Sequence, residues 1–159
     1  RVWASRKVTG DFSLTMRIKS YENMVGDQET SPAAKYGVVI QEDQAQRFLY
    51  KGFEWQVFLH SRQGSFSTPS RHDGGLHQKN YKASLHSLPR LPIYFRISRK
   101  GSAFKAEYSK NGTDNWTLIF EENANLPDDL YVGPYMHYVE DGKKNHYWKL
   151  QVDQLTLEE

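Results

Sequence analysis

Apolar and polar residues alternate along much of this chain with the two-residue period of half-buried β-strands. The alternation is most regular from Phe12 to Ile18, where every second side chain is apolar. Near Asp153 the alternation of the last stretch shifts by one residue, which predicts a β-bulge. No stretch repeats apolar residues with the 3.6-residue period of an amphipathic helix. Further strands are predicted over residues 35–41, 47–51, 53–60, 65–68, 93–120 and 130–138.

The stretch 93–120 is the clearest part of the pattern, because it contains three alternating segments separated by turns. The first turn lies at residues 99–102, and the second contains Asn111 and Gly112. An Asn-Gly pair favours a type I′ turn, in which both central residues need positive φ. In the third segment we expect the alternate residues of 116–120 to form one apolar face, with Trp116 packed in the core. Such a meander needs a second sheet to cover its apolar face.

These strands predict an all-β fold, a two-sheet antiparallel jelly-roll sandwich that forms one domain over residues 1–159. A chain of 159 residues is long enough to bury a hydrophobic core in a single domain. Aromatic residues make up 14% of the chain against a hydrophobic total of only 38%, and aromatic side chains favour strands. Because strand-like sequence begins at once, we expect this domain to be a module of a larger multidomain protein.

The composition excludes several classes of protein. The chain contains no cysteine, so a disulfide framework, a thiolate nucleophile and a cysteine-containing zinc site are ruled out. No apolar stretch is long enough to span a membrane, and we predict neither a membrane nor a nucleic acid as partner.

Charge is unevenly distributed, although the formal net charge is only +2. Basic residues dominate residues 60–100, where Asp73 is the one acid, whereas acids outnumber bases from Lys105 onward. A basic segment of this kind could bind an anionic polymer, and it could equally be a solvated loop.

Several stretches of the chain together resemble a known group of β-sandwich modules. They are GDFSLTMRIKS at 10–20, KYGVVIQED at 35–43, PIYFRISRKGSAFKAEYSKNGTDNWTLI at 92–119 and LYVGPYMHY at 130–138, followed by a closing strand. Their order resembles the concanavalin A-like carbohydrate-binding modules, of the family 66 kind, that are appended to bacterial pectate lyases and glycoside hydrolases. The resemblance covers nearly the whole chain, except that residues 60–92 form a longer connection than many of those modules have.

The resemblance implies a non-catalytic module that holds a polysaccharide-degrading enzyme on its substrate. It further implies a secreted, extracellular protein in which a monomeric module shares its chain with a catalytic domain and has a polysaccharide as partner. Pectin is the favoured polymer because of the basic segment 60–100, and fructan is the next. The module itself is predicted not to be an enzyme and to require no cofactor, and structural calcium is the one ion considered.

Carbohydrate recognition needs an aromatic surface for the C–H side of a sugar ring and polar groups for its hydroxyls. Polar residues opposite the apolar strand faces are the candidates, and a solvated surface without a ligand is the alternative for each of them. The resemblance implies a binding patch near residues 41–43 and 135–137. The predicted ligand-binding residues are Gln41, Asp43, Arg47, Glu54, Trp55, Tyr135 and His137.

Acidic residues in the predicted turns could bind calcium through their oxygen atoms, although no EF-hand loop is present. The predicted calcium ligands are Asp11, Asp128 and Asp129. The histidines are not at a recognised metal-binding spacing, so we expect them to be surface or packing residues.

Two other functions are consistent with the sequence. A structural or protein-interaction sandwich would contact a partner through an exposed aromatic strand. A stand-alone glycoside hydrolase would need two carboxylates at a suitable separation, and nothing in the sequence brings a particular pair together. Carbohydrate binding is therefore ranked first and hydrolysis last.

Overall fold

The computed structural model describes residues 2–23, 35–42, 54–60, 66–67, 70–71, 77–78, 91–137 and 148–159. These residues form strands and the connections between them. The strands are β1 (Val2–Trp3), β2 (Arg6–Thr9), β3 (Phe12–Asn23), β4 (Lys35–Gln41), β5 (Glu54–His60), β6 (Phe66–Ser67), β7 (Ser70–Arg71), β8 (His77–Gln78), β9 (Ile93–Lys100), β10 (Ala103–Ser109), β11 (Thr117–Asn123), β12 (Asp129–His137) and β13 (Trp148–Glu158). No candidate membrane-spanning helix was found in these ranges.

The strands form two large antiparallel sheets. The six-stranded sheet has the order β1-β12-β4-β5-β6, with β2 also paired to β12. The five-stranded sheet has the order β11-β10-β9-β3-β13, and β7 pairs separately with β8. The predicted all-β antiparallel sandwich is therefore confirmed. The predicted strand at residues 47–51 lies outside the described residues.

The core lies between the two large sheets, where the apolar faces of the predicted strands meet. In the five-stranded sheet, Leu14 of β3 pairs with Ile97 of β9, and both side chains are buried. In the six-stranded sheet, Ile40 of β4 pairs with Val132 of β12, and both belong to the same apolar cluster. Burying one such side chain contributes roughly 1.5–3 kcal/mol, so the alternation in the sequence is what holds the sheets together.

The connection between β10 and β11 is longer than the turn that the sequence predicts. Residues 110–116 form the loop, and within it Gly112 has a φ of 77° while Asn115 has a φ of 52°. Asn111 has no positive φ, and its side-chain Oδ1 accepts a hydrogen bond from the Thr113 N–H at 3.1 Å. The predicted type I′ turn is therefore wrong, because side-chain bonds to the local backbone stabilise a wider loop.

A bulge in β11 moves its residues to the other side of the sheet. The pairing of β10 with β11 shifts next to Glu107, which comes to face Leu118. Leu118 is 51% exposed, whereas the following Ile119 is buried in the core. The expectation that Trp116 packs in the core is wrong as well, since its side chain is only half-buried. One extra residue in a strand is enough to exchange the two faces.

Two other predictions about the backbone are confirmed. The turn between β9 and β10 is a two-residue connection, and Gly101 has the positive φ, 59°, that such hairpins need at the first central position. In β13 the pairing with β3 shifts between Asp153 and Thr156, and Gln154 there has a φ of 50°. This shift is the bulge that the change of phase in the sequence predicts.

The N-terminal strands β1 and β2 lie along the same edge of β12, interrupted opposite Gly133 and Pro134. The Ala4 N–H donates a hydrogen bond to the Pro134 carbonyl at 3.3 Å. A Cβ on Gly133 would lie 1.8 Å from the Ala4 carbonyl oxygen, so this close approach requires glycine. Proline is tolerated next to it because regular pairing with the N-terminal strands is interrupted there.

One end of the sandwich is closed around the buried side chain of Arg99. Its guanidinium donates hydrogen bonds to the carbonyls of Gly101 at 2.9 Å, Pro127 at 2.6 Å and Leu126 at 3.1 Å. A longer contact, 3.4 Å, joins its Nη1 to the Asp128 carbonyl. These carbonyls belong to the β9–β10 turn and to the segment that leads from β11 in one sheet to β12 in the other. Hydrogen bonds to charged groups contribute about 1.5–3 kcal/mol each, so Arg99 fastens this crossing between sheets.

Candidate functional site

The six-stranded sheet is buried on the side that is turned away from the core as well as on the core side. In β4, Val38 and Ile40 belong to the core cluster, whereas Val39 between them is 0% exposed and lies outside that cluster. On the same outward side, Gln41 is 2% exposed and Tyr135 of β12 is 1% exposed. We call the outward side around Val39, Gln41 and Tyr135 the covered face.

The register of this sheet brings several of the predicted ligand-binding residues onto adjacent strands. Gln41 of β4 is opposite Tyr131 of β12 on one side and Glu54 of β5 on the other. Tyr135 and His137 follow further along β12. Because alternate residues of a strand share a face, Tyr135 lies on the same side of the sheet as Tyr131 and Gln41.

The other predicted residues are placed differently. Trp55 of β5 is paired with Ile40, a residue of the core cluster, whereas its neighbour Glu54 is paired with Gln41. Asp43 and Arg47 lie outside the described residues. The predicted patch thus reduces, in the part of the chain that the structure describes, to three neighbouring strands, β5, β4 and β12.

The outward side of the five-stranded sheet has a different character, and we call it the open face. Its residues are charged, hydroxylated or aromatic, and most of them are half-buried or exposed. Arg96 of β9 is opposite Glu107 of β10, and Arg17 of β3 is opposite Asp153 of β13. Charged side chains on this face are therefore paired with one another across neighbouring strands.

A cluster on the open face joins two cations, one carboxylate and one aromatic ring: Arg96, Lys105, Glu107 and Trp116. Nε and Nη2 of Arg96 donate to Glu107 Oε2 at 2.9 and 2.7 Å, and Lys105 Nζ lies 2.8 Å from Glu107 Oε1. The guanidinium carbon of Arg96 lies 3.9 Å from the centroid of the Trp116 ring, which is a cation–π contact. We call these four residues the Trp116 cluster.

Glu107 is ionised within this cluster, although its side chain is only 7% exposed. Burial acts to raise the pKa of Glu107, but hydrogen bonds from Lys105 and Arg96 outweigh it, and the pKa lies below its ordinary value. Two cations share one carboxylate, so the Trp116 cluster carries a net positive charge.

Tyr94 is fixed beside the cluster by two contacts. Its hydroxyl donates a hydrogen bond to Gln154 Oε1 at 2.6 Å. Gly112 lies against its ring so closely that a Cβ there would be 2.5 Å from the ring carbon Cδ1. Gln154 is one of two non-glycine residues with positive φ in the described ranges, and the other, Asn115, directly precedes Trp116.

Arg17 and Asp153 form a neutral pair on the far side of the open face. Nε and Nη2 of Arg17 donate to the two carboxylate oxygens of Asp153 at 2.6 and 2.5 Å. This hydrogen bonding lowers the pKa of Asp153 and raises the pKa of Arg17. This pair is neutral and adds no net charge to the open face.

Asp11, Asp128 and Asp129, the predicted calcium ligands, all lie at the end of the sandwich that Arg99 closes. Asp11 Oδ1 accepts a hydrogen bond from the Gly101 N–H at 2.7 Å. The Asp128 carboxylate lies 3.7 Å from Nη2 of Arg99. Both carboxylates thus already interact with donors of the protein itself.

Asp129 is engaged in the same way. It accepts a hydrogen bond from the Thr9 hydroxyl at 2.8 Å and lies 2.6 Å from Lys7 Nζ. The hydrogen bonds from Lys7 and Thr9 lower the pKa of Asp129. The described residues contain no group of three or more His, Cys, Asp or Glu side chains that could hold a metal ion, and the calcium ligands that the sequence predicts stay a prediction.

The Trp116 cluster was not predicted from the sequence. The alternation of residues 116–120 points to a buried Trp116, and only the bulge reverses that assignment. A signal was present in the sequence, since Leu118, Ile119 and Phe120 are three successive apolar residues, which a regular half-buried strand would not contain.

No protein-family model and no curated protein sequence matches this chain. Among solved structures, a functionally unknown protein from Saccharomyces cerevisiae matches with a TM-score of 0.65 at 11% identity, covering 98% of this chain and 73% of that chain. The exoplasmic/lumenal domain of VIP36 in its Ca²⁺/Man3GlcNAc-bound form matches with a TM-score of 0.59 at 10% identity, covering 98% and 71%. Its metal-free form matches with a TM-score of 0.57 at 11% identity, covering 98% and 72%. At these identities the likeness shows the fold alone, which is that of a lectin-type β-sandwich.

Proposed function

We propose that this chain is a non-catalytic carbohydrate-binding module that binds polysaccharide on the covered face of its six-stranded sheet. The fold is shared with the VIP36 domain, which is solved with Ca²⁺ and Man3GlcNAc bound, and this supports sugar binding as the class of function. The resemblance of the sequence to the family 66-like modules supports the same class.

The observation that carries the proposal is the register of β12, β4 and β5, which brings several of the predicted polar and aromatic residues onto neighbouring strands of one sheet. Gln41 of β4 lies opposite Tyr131 of β12, and Tyr135 lies further along the same face of β12. Tyrosine rings beside amide groups are the chemistry that the C–H faces and hydroxyls of a sugar require.

The ligand and its setting complete the proposal. The proposed contacts are those that the sequence predicts, Gln41, Asp43, Arg47, Glu54, Trp55, Tyr135 and His137. Pectin is the favoured polymer, with fructan next, and the module would act as a monomer in a secreted enzyme. Tethering raises the local concentration of the catalytic domain at the polymer, so modest affinity of the single module is sufficient.

Hydrolysis by the described carboxylates is less well supported than binding. The general acid of a glycosidase needs a raised pKa so that it stays protonated at working pH. Hydrogen bonds from cationic partners instead lower the pKa of Asp129 and Asp153. These two carboxylates are suited to hold ion pairs rather than to donate a proton.

Isothermal titration calorimetry against polygalacturonate, methyl-esterified pectin, levan and mannan tests the function. We expect binding to at least one of them, weakened about tenfold or more by Gln41→Met, which removes the amide and nearly keeps the volume. Gln151→Met is the matched control, because Gln151 lies on β13 of the other sheet, where it accepts a hydrogen bond from Ser20.

The controls separate loss of binding from loss of folding. Thermal unfolding of both variants is measured alongside, and we expect each to stay folded at the titration temperature. Absence of binding by the wild-type chain to every polysaccharide of the panel would refute the proposal. If Gln41→Met and Gln151→Met weakened polysaccharide binding equally, the result would contradict a site on the covered face.

A further inference from the structure

We propose that the Trp116 cluster on the open face is a second contact surface for the glycan, selective for sugars that carry a carboxylate. This inference rests on the proposed carbohydrate-binding function and adds a chemical class of ligand to it. This surface lies on the opposite side of the sandwich from the covered face. The module would therefore have two separate contact surfaces for polysaccharide.

Trp116 supplies an aromatic ring that the core does not use. Its side chain is half-buried on β11's side of the open face, and the neighbouring Leu118 is exposed. Large apolar groups at an exposed sheet edge lose solvent contact when a ligand covers them, and a sugar ring offers a C–H face of suitable shape. The cluster thus has the apolar half of a sugar-binding surface.

Arg96 supplies the group that would recognise a carboxylate. Among the described residues its acceptor is Glu107, which binds Nε and Nη2, so Nη1 is the nitrogen that can donate to a ligand. Arginine is well suited to carboxylate recognition because its guanidinium is planar and always charged. Lys105 adds a second cation, and the net positive charge of the cluster complements an anionic sugar.

The cluster is also rigidly held before any ligand arrives. The buried Glu107 and the Trp116 ring fix Arg96 between them. Such preorganisation reduces the conformational entropy that binding costs.

The backbone around the cluster provides an independent observation. Asn115 and Gln154 are the two non-glycine residues with positive φ in the described ranges; Asn115 directly precedes Trp116, and Gln154 accepts a hydrogen bond from the Tyr94 hydroxyl. Residues in this conformation cost free energy and cluster at functional sites. Here they position Trp116 and Tyr94, which is the result expected for a surface built to contact a ligand.

Calorimetric titration of the chain with oligogalacturonate and with its methyl-esterified counterpart tests the inference, because the two probes have the same sugar backbone and the methyl ester removes the negative charge of the carboxyl group. We expect the charged probe to bind more tightly and its affinity to fall with added salt. Trp116→Ala is expected to weaken binding of the charged probe about tenfold, and Lys105→Gln about threefold. Trp116→Phe, which keeps an aromatic ring, should retain most of the affinity.

The matched control is Lys149→Gln, which removes an exposed cation from β13, and β3 separates that strand from the cluster. It should leave the affinity unchanged. Circular dichroism establishes that each variant is folded, and Lys105→Gln tests the inference even if Trp116→Ala does not fold. If Trp116→Phe, Trp116→Ala and Lys105→Gln all bind like the wild type while Gln41→Met does not, this inference is overturned and the proposed function stands. If the wild-type chain binds no glycan at all, both are refuted.

Discussion

The two outward faces of the sandwich have the same strand alternation but opposite relations to solvent. On the covered face, Val39, Gln41 and Tyr135 are buried as completely as the core between the sheets. On the open face, Leu118 is half-exposed and the charged residues satisfy one another in pairs. The difference shows that alternation in a sequence reports which side of a sheet a residue occupies, and not whether that side meets water.

The difference also separates two ways of building a polar surface. The covered face buries an amide and a phenol ring, which need specific partners and leave little tolerance for substitution. The open face combines ion pairs of higher exposure, which individually contribute little stability and tolerate replacement. Substitutions on the two faces should therefore differ in effect, and the following experiments measure that difference from the largest expected effect to the smallest.

Gly133→Ala is expected to cause the largest loss of stability. The added Cβ would lie 1.8 Å from the Ala4 carbonyl oxygen, which belongs to backbone between β1 and β2 and cannot rotate away as a side chain would. We expect a loss of about 3 kcal/mol or more in the free energy of unfolding, measured by urea denaturation. Ser98→Ala on the open face is the control, and a similar small loss in both variants would contradict the close approach.

Truncating one apolar residue on each face compares them directly. Val39→Ala removes buried methyl groups and should cost about 2 kcal/mol, whereas Leu118→Ala removes a larger side chain that is half-exposed and should cost about 0.5 kcal/mol or less. Both values come from the same denaturation experiment. Equal losses would show that the covered face is open in solution.

Glu107→Gln tests the strongest ion-pair network of the open face through its pH dependence. Because the pKa of Glu107 is lowered in the folded state from its ordinary 4.5, the ionised carboxylate stabilises the fold above that pH. This contribution disappears as the pH falls through the lowered pKa. We expect Glu107→Gln to lower the unfolding free energy by about 1 kcal/mol at neutral pH and by progressively less under acid conditions. A difference that stays constant with pH would contradict the pairing.

Calcium is expected to have the smallest effect. Asp11 and Asp129 are held by protein donors, and Asp128 lies beside Arg99, so a divalent cation would have to displace existing contacts. We expect the melting temperature to be the same in calcium and in a chelator. A clear rise in calcium, lost on Asp128→Asn, would instead support the calcium site that the sequence predicts.

Much of the fold could be predicted because it depends on local alternation. β4 begins and ends where the pattern of residues 35–41 does, and the bulge at Gln154 appears as a change of phase in the sequence. Alternation failed at Trp116 and Leu118, where the bulge in β11 depends on pairing with β10 rather than on the residues themselves. Register between strands is a property of two segments, so one segment cannot reveal it.

The candidate site was less predictable than the fold. Gln41 and Tyr135 could be assigned to the same face, because both alternate with apolar neighbours, but their burial depends on what lies over that face. Arg96 and Glu107 are paired within the β9–β10 hairpin, so this contact follows once the register of that hairpin is known. The contact of Arg96 with Trp116 depends on the wide loop 110–116 and could not be predicted from turn propensity.

The guanidinium of Arg99 binds backbone carbonyls at the closed end of the sandwich, as a bound cation would. Where a free ion fastens backbone carbonyls, its contribution follows mass action and falls as the surrounding solution is diluted. Here the cation is covalently part of β9, and the carbonyls of Gly101, Leu126 and Pro127 bind a partner that is always present at fixed effective concentration. The crossing from β11 to β12 is therefore held without any cation from the medium.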